Sequence, residues 1–356
     1  MKRFGVISVE RFVFGIFSAD GFLSRFVNRM KNHTSIWVQI PCLNEEKSLP
    51  ETLRSVASAG MDYPLQLLVI DDGSSDGTAK VAKAVNRVVS HTRNRGLAAA
   101  FTTGLDECLR MGADIIVNTD GDGQYPASEI PRLLEPILAG RADMVIGDRR
   151  PSEDFRSSWL KRKLQKLGSR TVSWLAGREI PDAVSGFRAM TREAAIKMHV
   201  VTGFSYTIET VLQACSKGLA IEFVPITTNT VTRPSRLFHS IPQFVFRSGL
   251  TMLRVAFMFR PLAVLMTISA VLAVIGTIPV LRFLIFWMSG DGDGHIQSLV
   301  LGGVFLVLAG ITSVAGLLAD LMAANRRLLE MTLEKVKRME CEASREGLNG
   351  HCEEAP

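Results

Sequence analysis

Four short stretches carry carboxylates or guanidinium groups in positions where they could do ionic chemistry. They are Pro41-Cys42-Leu43-Asn44-Glu45-Glu46, Asp71-Asp72-Gly73-Ser74-Ser75-Asp76-Gly77-Thr78, Asp120-Gly121-Asp122-Gly123-Gln124 and Gly147-Asp148-Arg149-Arg150. Taken singly, each is ordinary: an Asp-Gly-Ser-Ser-Asp-Gly run reads first as a turn with a helix N-cap, and an Asp-x-Asp pair as a solvated turn. Their order is what matters, because each directly follows a short apolar run. If those runs lie side by side in one parallel sheet, the acids gather on one rim. Carboxylates gathered beside a diphosphate are electrostatically reasonable only with a divalent cation between them, and oxygen ligands of this kind suit Mg2+ or Mn2+.

The elements that must do this positioning can be read from periodicity. Ile36–Ile40, Leu65–Ile70, Ile115–Asn118 and Met144–Ile146 read as buried strands, and Pro50–Ser58, Asp76–Val85, Gly96–Met111 and Ala127–Leu138 as helices. Strand-helix alternation at this spacing predicts an α/β, mostly parallel sheet covered on both faces. In such sheets ligands bind beyond the carboxyl ends of the strands.

The C-terminal part of the 356-residue chain has a different composition. Leu262–Leu281 and Ile296–Ala319 are uncharged runs of 20 and 24 residues. At ~1.5 Å per residue, each is long enough to cross a bilayer core of ~30 Å. The Gly/Asp-rich stretch 290–294 between them predicts a helical hairpin. Arg247, Arg254 and Arg260 precede the first run, and Arg326, Arg327, Lys335, Lys337 and Arg338 follow the second. The positive-inside rule then places both ends, and the catalytic domain, on the cytoplasmic side of a cell (inner) membrane. Phe246, Leu250, Leu253 and Phe257 form one apolar helix face flanked by Arg247 and Arg254, as in a helix lying in the headgroup layer. Residues 1–34 mix phenylalanine with Lys and Arg and read equally as an amphipathic or a disordered leader. The expected division is thus a leader (1–34), a catalytic domain (35–232), juxtamembrane helices (233–260), a hairpin (261–324) and a tail (325–356). The tail should be helical to Glu340 and disordered from Cys341, and its helix could pair with a second copy.

The formal net charge of +6 lies largely beside the apolar runs, which favours a membrane surface over nucleic acid as its anionic partner. Five cysteines without a CxxC pair indicate neither a disulfide framework nor a zinc site.

Together with Asn94-Arg95-Gly96-Leu97 and Ser185-Gly186-Phe187-Arg188, the four stretches resemble inverting family 2 glycosyltransferases of the GT-A fold. More narrowly they resemble the dolichyl or polyprenyl phosphate sugar synthase branch. The resemblance covers roughly residues 36–230, and the two-span hairpin is shared with bacterial members. It implies a nucleotide-sugar donor, UDP- or GDP-linked, and a polyprenyl phosphate acceptor. It also implies that Pro41, Asn44, Glu45, Asp72 and Asp120 line the donor pocket, and that Asp120, Asp122 and Gln124 hold the metal and diphosphate. Asp182 matches an acid near the reacting centre, best cast as a positioning group, and Glu209 an acid on a following helix. Arg149 and Arg162 match residues that grip the acceptor phosphate, with Arg233, Ser235 and Arg236 in a shortened basic stretch. Arg188 is read either as a further phosphate ligand or as a structural residue. Lys166 stands where many relatives have serine. A transferase acting on another lipid, such as a diacylglycerol, and a non-catalytic membrane scaffold are the rival readings. A processive polysaccharide synthase is disfavoured, since no Gln-x-x-Arg-Trp stretch follows.

Overall fold

A computed structural model describes residues 34–59, 64–149, 159–201, 206–229, 249–250, 253–254, 256–290 and 295–353. Residues 1–33 of the leader, Phe246, Arg247, Arg233, Ser235, Arg236 and Arg150 lie outside the described residues. The chain divides into two compact units. The first is drawn from residues up to 151, 184–232 and 340 onward, the second from 152–183 and 233–339.

The first unit is built on a seven-stranded sheet. Its strands are β1 (Ile36–Cys42), β2 (Leu65–Asp71), β3 (Arg87–Ser90), β4 (Ile115–Asn118), β5 (Met144–Asp148), β6 (Arg188–Thr191) and β7 (Ile221–Pro225). They lie in the order β3-β2-β1-β4-β6-β5-β7. β1 is central and buried along its whole length, as expected of a strand covered on both faces. It pairs in parallel with β2 and β4, and β2 with β3. β6 runs antiparallel to both β4 and β5, so β4 and β5 point the same way. The carboxyl ends of β1, β2, β4 and β5 therefore share one edge, and the start of β6 joins them.

The helices of this unit are α1 (Leu49–Ala59), α2 (Thr78–Ala82), α3 (Leu97–Arg110), α4 (Ile130–Leu138), α6 (Arg192–Ile196) and α7 (Tyr206–Ser216), and they pack around the sheet. Leu133, Leu134 and Ile137 form the apolar face of α4 and enter the main core with Ile36, Val38 and Ile40. The stretch Asp76–Val85, expected to be one helix, is helical only over Thr78–Ala82, because the chain must turn in time to begin β3 at Arg87.

The second unit holds α5 (Trp159–Ala176), α8 (Pro261–Met288) and the greater part of α9 (Ile296–Glu353). α8 and α9 are both long and apolar enough to cross a membrane. Their contact includes the buried Ser269 hydroxyl, which donates to the carbonyl of Ala309 at 2.7 Å. Such a bond suits a lipid-embedded helix pair, where a polar group has few other partners. Leu250 and Leu253 ahead of α8 are 58% and 50% exposed. The tail departs from expectation. Helix α9 continues past Cys341 to Glu353, and Cys341 is buried, its carbonyl accepting a hydrogen bond from Arg192.

Candidate active site

Some of the acids at the strand ends act on one common neighbour. The thiol of Cys42, at the end of β1, reports this most directly. Burial pushes it far above its ordinary range, and the carboxylates of Glu45, Asp71, Asp120 and Asp122 all push in the same direction. Those four groups come from the ends of β1, β2 and β4, which share one edge of the sheet.

The two loops that follow β1 and β2 are laced together. The backbone N–H of Asn44 donates to Ser74 Oγ (2.9 Å), that of Glu45 to Thr78 Oγ1 (2.8 Å) and that of Glu46 to Asp76 Oδ2 (3.2 Å). In return, Ser75 and Gly77 donate their backbone N–H to Asn44 Oδ1 and Glu46 Oε2. Asn44 adopts φ 55°, a left-handed conformation that asparagine tolerates better than most residues. Glu45 accepts from Ser48 Oγ at 2.6 Å, which orients its carboxylate, and Pro41 is buried.

The Asp120–Gln124 loop is braced at several points. Asp122 is exposed, and its Oδ1 accepts the Gln124 N–H at 2.9 Å. Thr52 Oγ1 donates to the Gly121 carbonyl. Asn229 donates from its side chain to Gly123 O and from its backbone to Gln124 O, both at 2.9 Å. Asp120 is more enclosed. Burial, then the Asp122 charge, raises its carboxyl pKa to about 6, while Arg149 and Arg188 oppose the rise. Arg149, half-buried at the end of β5, thus shares this rim.

Behind Asp120 lies a polar relay that no sequence pattern reveals. Gln39 Nε2 donates to Asn118 Oδ1 (2.9 Å), and Asn118 Nδ2 donates to the Gly186 carbonyl (2.8 Å) and the Tyr206 hydroxyl (3.3 Å). The Tyr206 ring stacks on Phe101 with centroids 4.3 Å apart. A Cβ on Gly186 would sit 2.9 Å from the Tyr206 hydroxyl and 3.1 Å from Asp120 Oδ2, so glycine lets this turn approach the carboxylate.

Arg188 belongs to this support and not to an acceptor site. It is fully buried and donates to the carbonyls of Ser185 and Thr207 and to Thr210 Oγ1, with the Tyr206 ring 5.5 Å away. A guanidinium committed to three internal acceptors is not available to an incoming phosphate. Arg188→Lys, which keeps the charge and loses the fork, is expected to lower unfolding stability by about 2 kcal/mol in a denaturant titration.

Asp72 is also turned toward the chain. It is 3% exposed, and its carboxylate accepts the N–H groups of Arg95 (2.9 Å) and Gly96 (2.8 Å) and contacts His91 Nδ1 (2.7 Å). Its neighbour Asp71 accepts the Ser74 N–H. Asp182 is buried within the second unit, and Arg162 lies on α5 of that unit. Glu209 is buried and accepts the Val201 N–H, bracing the approach to α7.

A divalent ion fits the donor set at the rim. Burial first, and then the like charge of Asp122, raise the Asp120 carboxyl, and Arg149 and Arg188 do not cancel the rise. Among the described residues no group of three or more His, Cys, Asp or Glu side chains is arranged to hold a metal alone. Two carboxylates, with further ligands from substrate phosphates, is the usual manner of holding Mg2+.

Residues 37–198 match the family model described as glycosyl transferase family 2. The chain is 34% identical over 203 residues to a polyprenol monophosphomannose synthase of Mycolicibacterium smegmatis, covering 53% of this chain and 76% of that one. It is 31% identical over 200 residues to an undecaprenyl-phosphate mannosyltransferase of Micrococcus luteus, covering 53% and 81%. In structure it is similar to glucosyl-3-phosphoglycerate synthase of Mycobacterium tuberculosis, solved with Mn2+ and uridine diphosphate. The TM-score there is 0.50, with 22% identity and coverage of 64% and 82% of the two chains. This likeness carries the GT-A fold. With a relative above 30% identity covered over most of its length, and a rim of acids where that fold places its ligands, the chain belongs to glycosyl transferase family 2 and is a glycosyltransferase.

Proposed function

We propose that this enzyme transfers a sugar from a UDP- or GDP-linked donor to a polyprenyl phosphate at the cytoplasmic membrane face, with inversion at the anomeric carbon. The observation that supports the reading is the parallel pairing of β1 with β2 and β4, which brings the strand ends that carry Glu45, Asp71, Asp120 and Asp122 to one edge. The relatives' names supply the acceptor class. The two apolar helices and their basic flanks supply the surface at which such an acceptor is found.

Asp120 and Asp122, with Gln124, would hold Mg2+ or Mn2+ beside the donor diphosphate. When bound, that ion supplies Lewis-acid stabilisation of the charge developing on the diphosphate. The remaining chemistry is a single displacement. An oxygen of the lipid phosphate forms a bond to the anomeric carbon, and the bond from that carbon to the diphosphate breaks, releasing the nucleoside diphosphate. A phosphate monoester is largely ionised at neutral pH, with a second pKa of ~6. Asp182 therefore serves as a positioning group and need not remove a proton. Arg149 orients the acceptor phosphate, with Arg162 and the Arg233-Pro234-Ser235-Arg236 stretch as further cationic contacts.

The test is a donor screen. Membranes containing the protein, supplied with Mn2+, undecaprenyl phosphate and labelled UDP- and GDP-sugars, are expected to yield a labelled polyprenyl lipid from one donor. Label released only as free sugar, or recovered on diacylglycerol, would overturn the acceptor assignment. Arg149→Ala is expected to raise the KM for polyprenyl phosphate about tenfold or more, the value of a lost charge-assisted hydrogen bond. Donor KM should change less than about threefold. An equal rise in both would count against Arg149 as an acceptor contact.

A further inference from the structure

His91, at the end of β3, takes no part in the displacement, yet its surroundings are specific. Its side chain is only 5% exposed. Nδ1 lies 2.7 Å from Asp72 Oδ1 and Nε2 lies 3.0 Å from Thr103 Oγ1, on α3. One neutral tautomer satisfies both contacts: Nδ1–H donates to the carboxylate, and Nε2 accepts from the threonine hydroxyl. The ring is therefore held at both ends, and it holds Asp72 in turn.

Asp72 is the only side chain among the described residues that receives the N–H groups of both Arg95 and Gly96. Those two amides close the segment that enters α3. The same segment rests directly on the turn after β2. Gly73 has φ 71°, and a Cβ there would lie 2.4 Å from the Arg93 carbonyl carbon and 2.6 Å from the Asn94 nitrogen. Gly73 is followed by Ser74, whose hydroxyl accepts the Asn44 N–H. A single chain of contacts thus runs from Thr103 through His91 and Asp72 to residues 93–96, and across Gly73 to the Asn44 loop. Arg93, Asn94 and Arg95 are exposed along it, so the segment presents two cations and an amide to solvent.

We infer that His91 is a positioning residue for the donor site: its Nδ1–H fixes the Asp72 carboxylate, and through it the Arg93–Gly96 segment against the nucleotide-binding turns. The inference rests on the reading of this rim as a nucleotide-sugar pocket. It adds that affinity for the donor is set in part by an imidazole that never touches it. The effect should fall on donor KM, because Asp122, at the proposed reacting edge, is held by a different contact, the Gln124 N–H.

The experiment compares three variants in the full-length protein. His91→Leu removes both contacts and is expected to raise donor KM at least tenfold, with kcat within about threefold. His91→Asn keeps an N–H donor for Asp72 and is expected to stay within about threefold of wild type in donor KM. Thr103→Val frees the far side of the ring and should fall between them. Amide exchange over residues 93–97 should accelerate about tenfold or more in His91→Leu and little in His91→Asn. Unchanged donor KM in folded His91→Leu would overturn the inference, as would a loss confined to kcat, or His91→Asn failing as badly as His91→Leu. If His91→Leu does not fold, the ranking of His91→Asn and Thr103→Val against wild type decides. Calorimetry of wild type with UDP and GDP in Mn2+ separates the premise. Binding of neither would remove the donor reading, while the exchange data would still show whether His91 orders the segment.

Discussion

Asp122→Ala is expected to lower kcat for sugar transfer by about 10³-fold while leaving the protein folded and in the membrane. The size reflects what the carboxylate would do through the ion it is proposed to hold. Stabilising charge on a departing diphosphate is worth several kcal/mol, and each ~1.4 kcal/mol is tenfold in rate. The fold should survive because Asp122 is exposed and its carboxylate bonds to the Gln124 N–H of its own loop. Surface changes of this kind usually alter stability by no more than about 0.5 kcal/mol. Wild type in excess chelator should show a loss of the same order, with recovery on adding Mn2+ or Mg2+. The variant should recover little under the same additions. Normal turnover by Asp122→Ala, or chelator-insensitive wild type, would remove the metal from the proposal. Asp122→Asn, which keeps one oxygen and loses the charge, should lie between the two.

That prediction can be framed from the sequence because the features behind it are local. Ile36–Cys42 and Ile115–Asn118 are short, mostly apolar runs that read as buried strands, and acids follow them within three residues. Once the sheet is parallel, strand ends share an edge, so the meeting of Glu45, Asp71, Asp120 and Asp122 follows from topology. What stays hidden depends on contacts between distant segments. β3, β6 and β7 are four or five residues long, and β6 begins with an arginine, so none gives a periodic signal. Arg188 resembles a phosphate ligand in the sequence. Its burial is possible only because the carbonyls of Ser185 and Thr207 and the Thr210 hydroxyl converge on it, and an arginine is almost never fully buried without such partners. Asp72 likewise matches a pocket residue in the sequence, and only the fold shows the backbone N–H groups 23 and 24 residues further on reaching its carboxylate. The tail from Cys341 has the composition of a disordered segment, yet it contains no proline before residue 356 to end helix α9.

Asp120→Asn should abolish transfer and at the same time stabilise the metal-free protein. In the folded state the carboxyl is raised from 3.8 to about 6, first by burial and then by Asp122, and the opposing pull of Arg149 and Arg188 does not cancel this. A carboxyl raised on folding favours the native state while it is protonated. That advantage is complete below pH 3.8, declines between 3.8 and about 6, and is gone above. At ~1.4 kcal/mol per pH unit the interval corresponds to about 3 kcal/mol of penalty at pH 7.5, an upper figure because part of the side chain reaches solvent. Asparagine carries no charge at any pH, so it should relieve most of this penalty, raising the unfolding midpoint by about 5 °C or more in chelator. The gain should shrink as the pH is lowered from 8 toward 4.5. Adding Mn2+ with a nucleoside diphosphate should stabilise wild type and leave Asp120→Asn nearly unmoved, since the ion needs the charge that asparagine lacks. A lower midpoint for Asp120→Asn at pH 7.5, or a gain that persists undiminished at pH 4.5, would show that the carboxylate is not held against its preference. The repulsion at this rim would then have to be neutralised by a neighbour other than Arg149 or Arg188. The opposed effects on activity and stability are what distinguish a charge kept for a ligand from one kept for the fold.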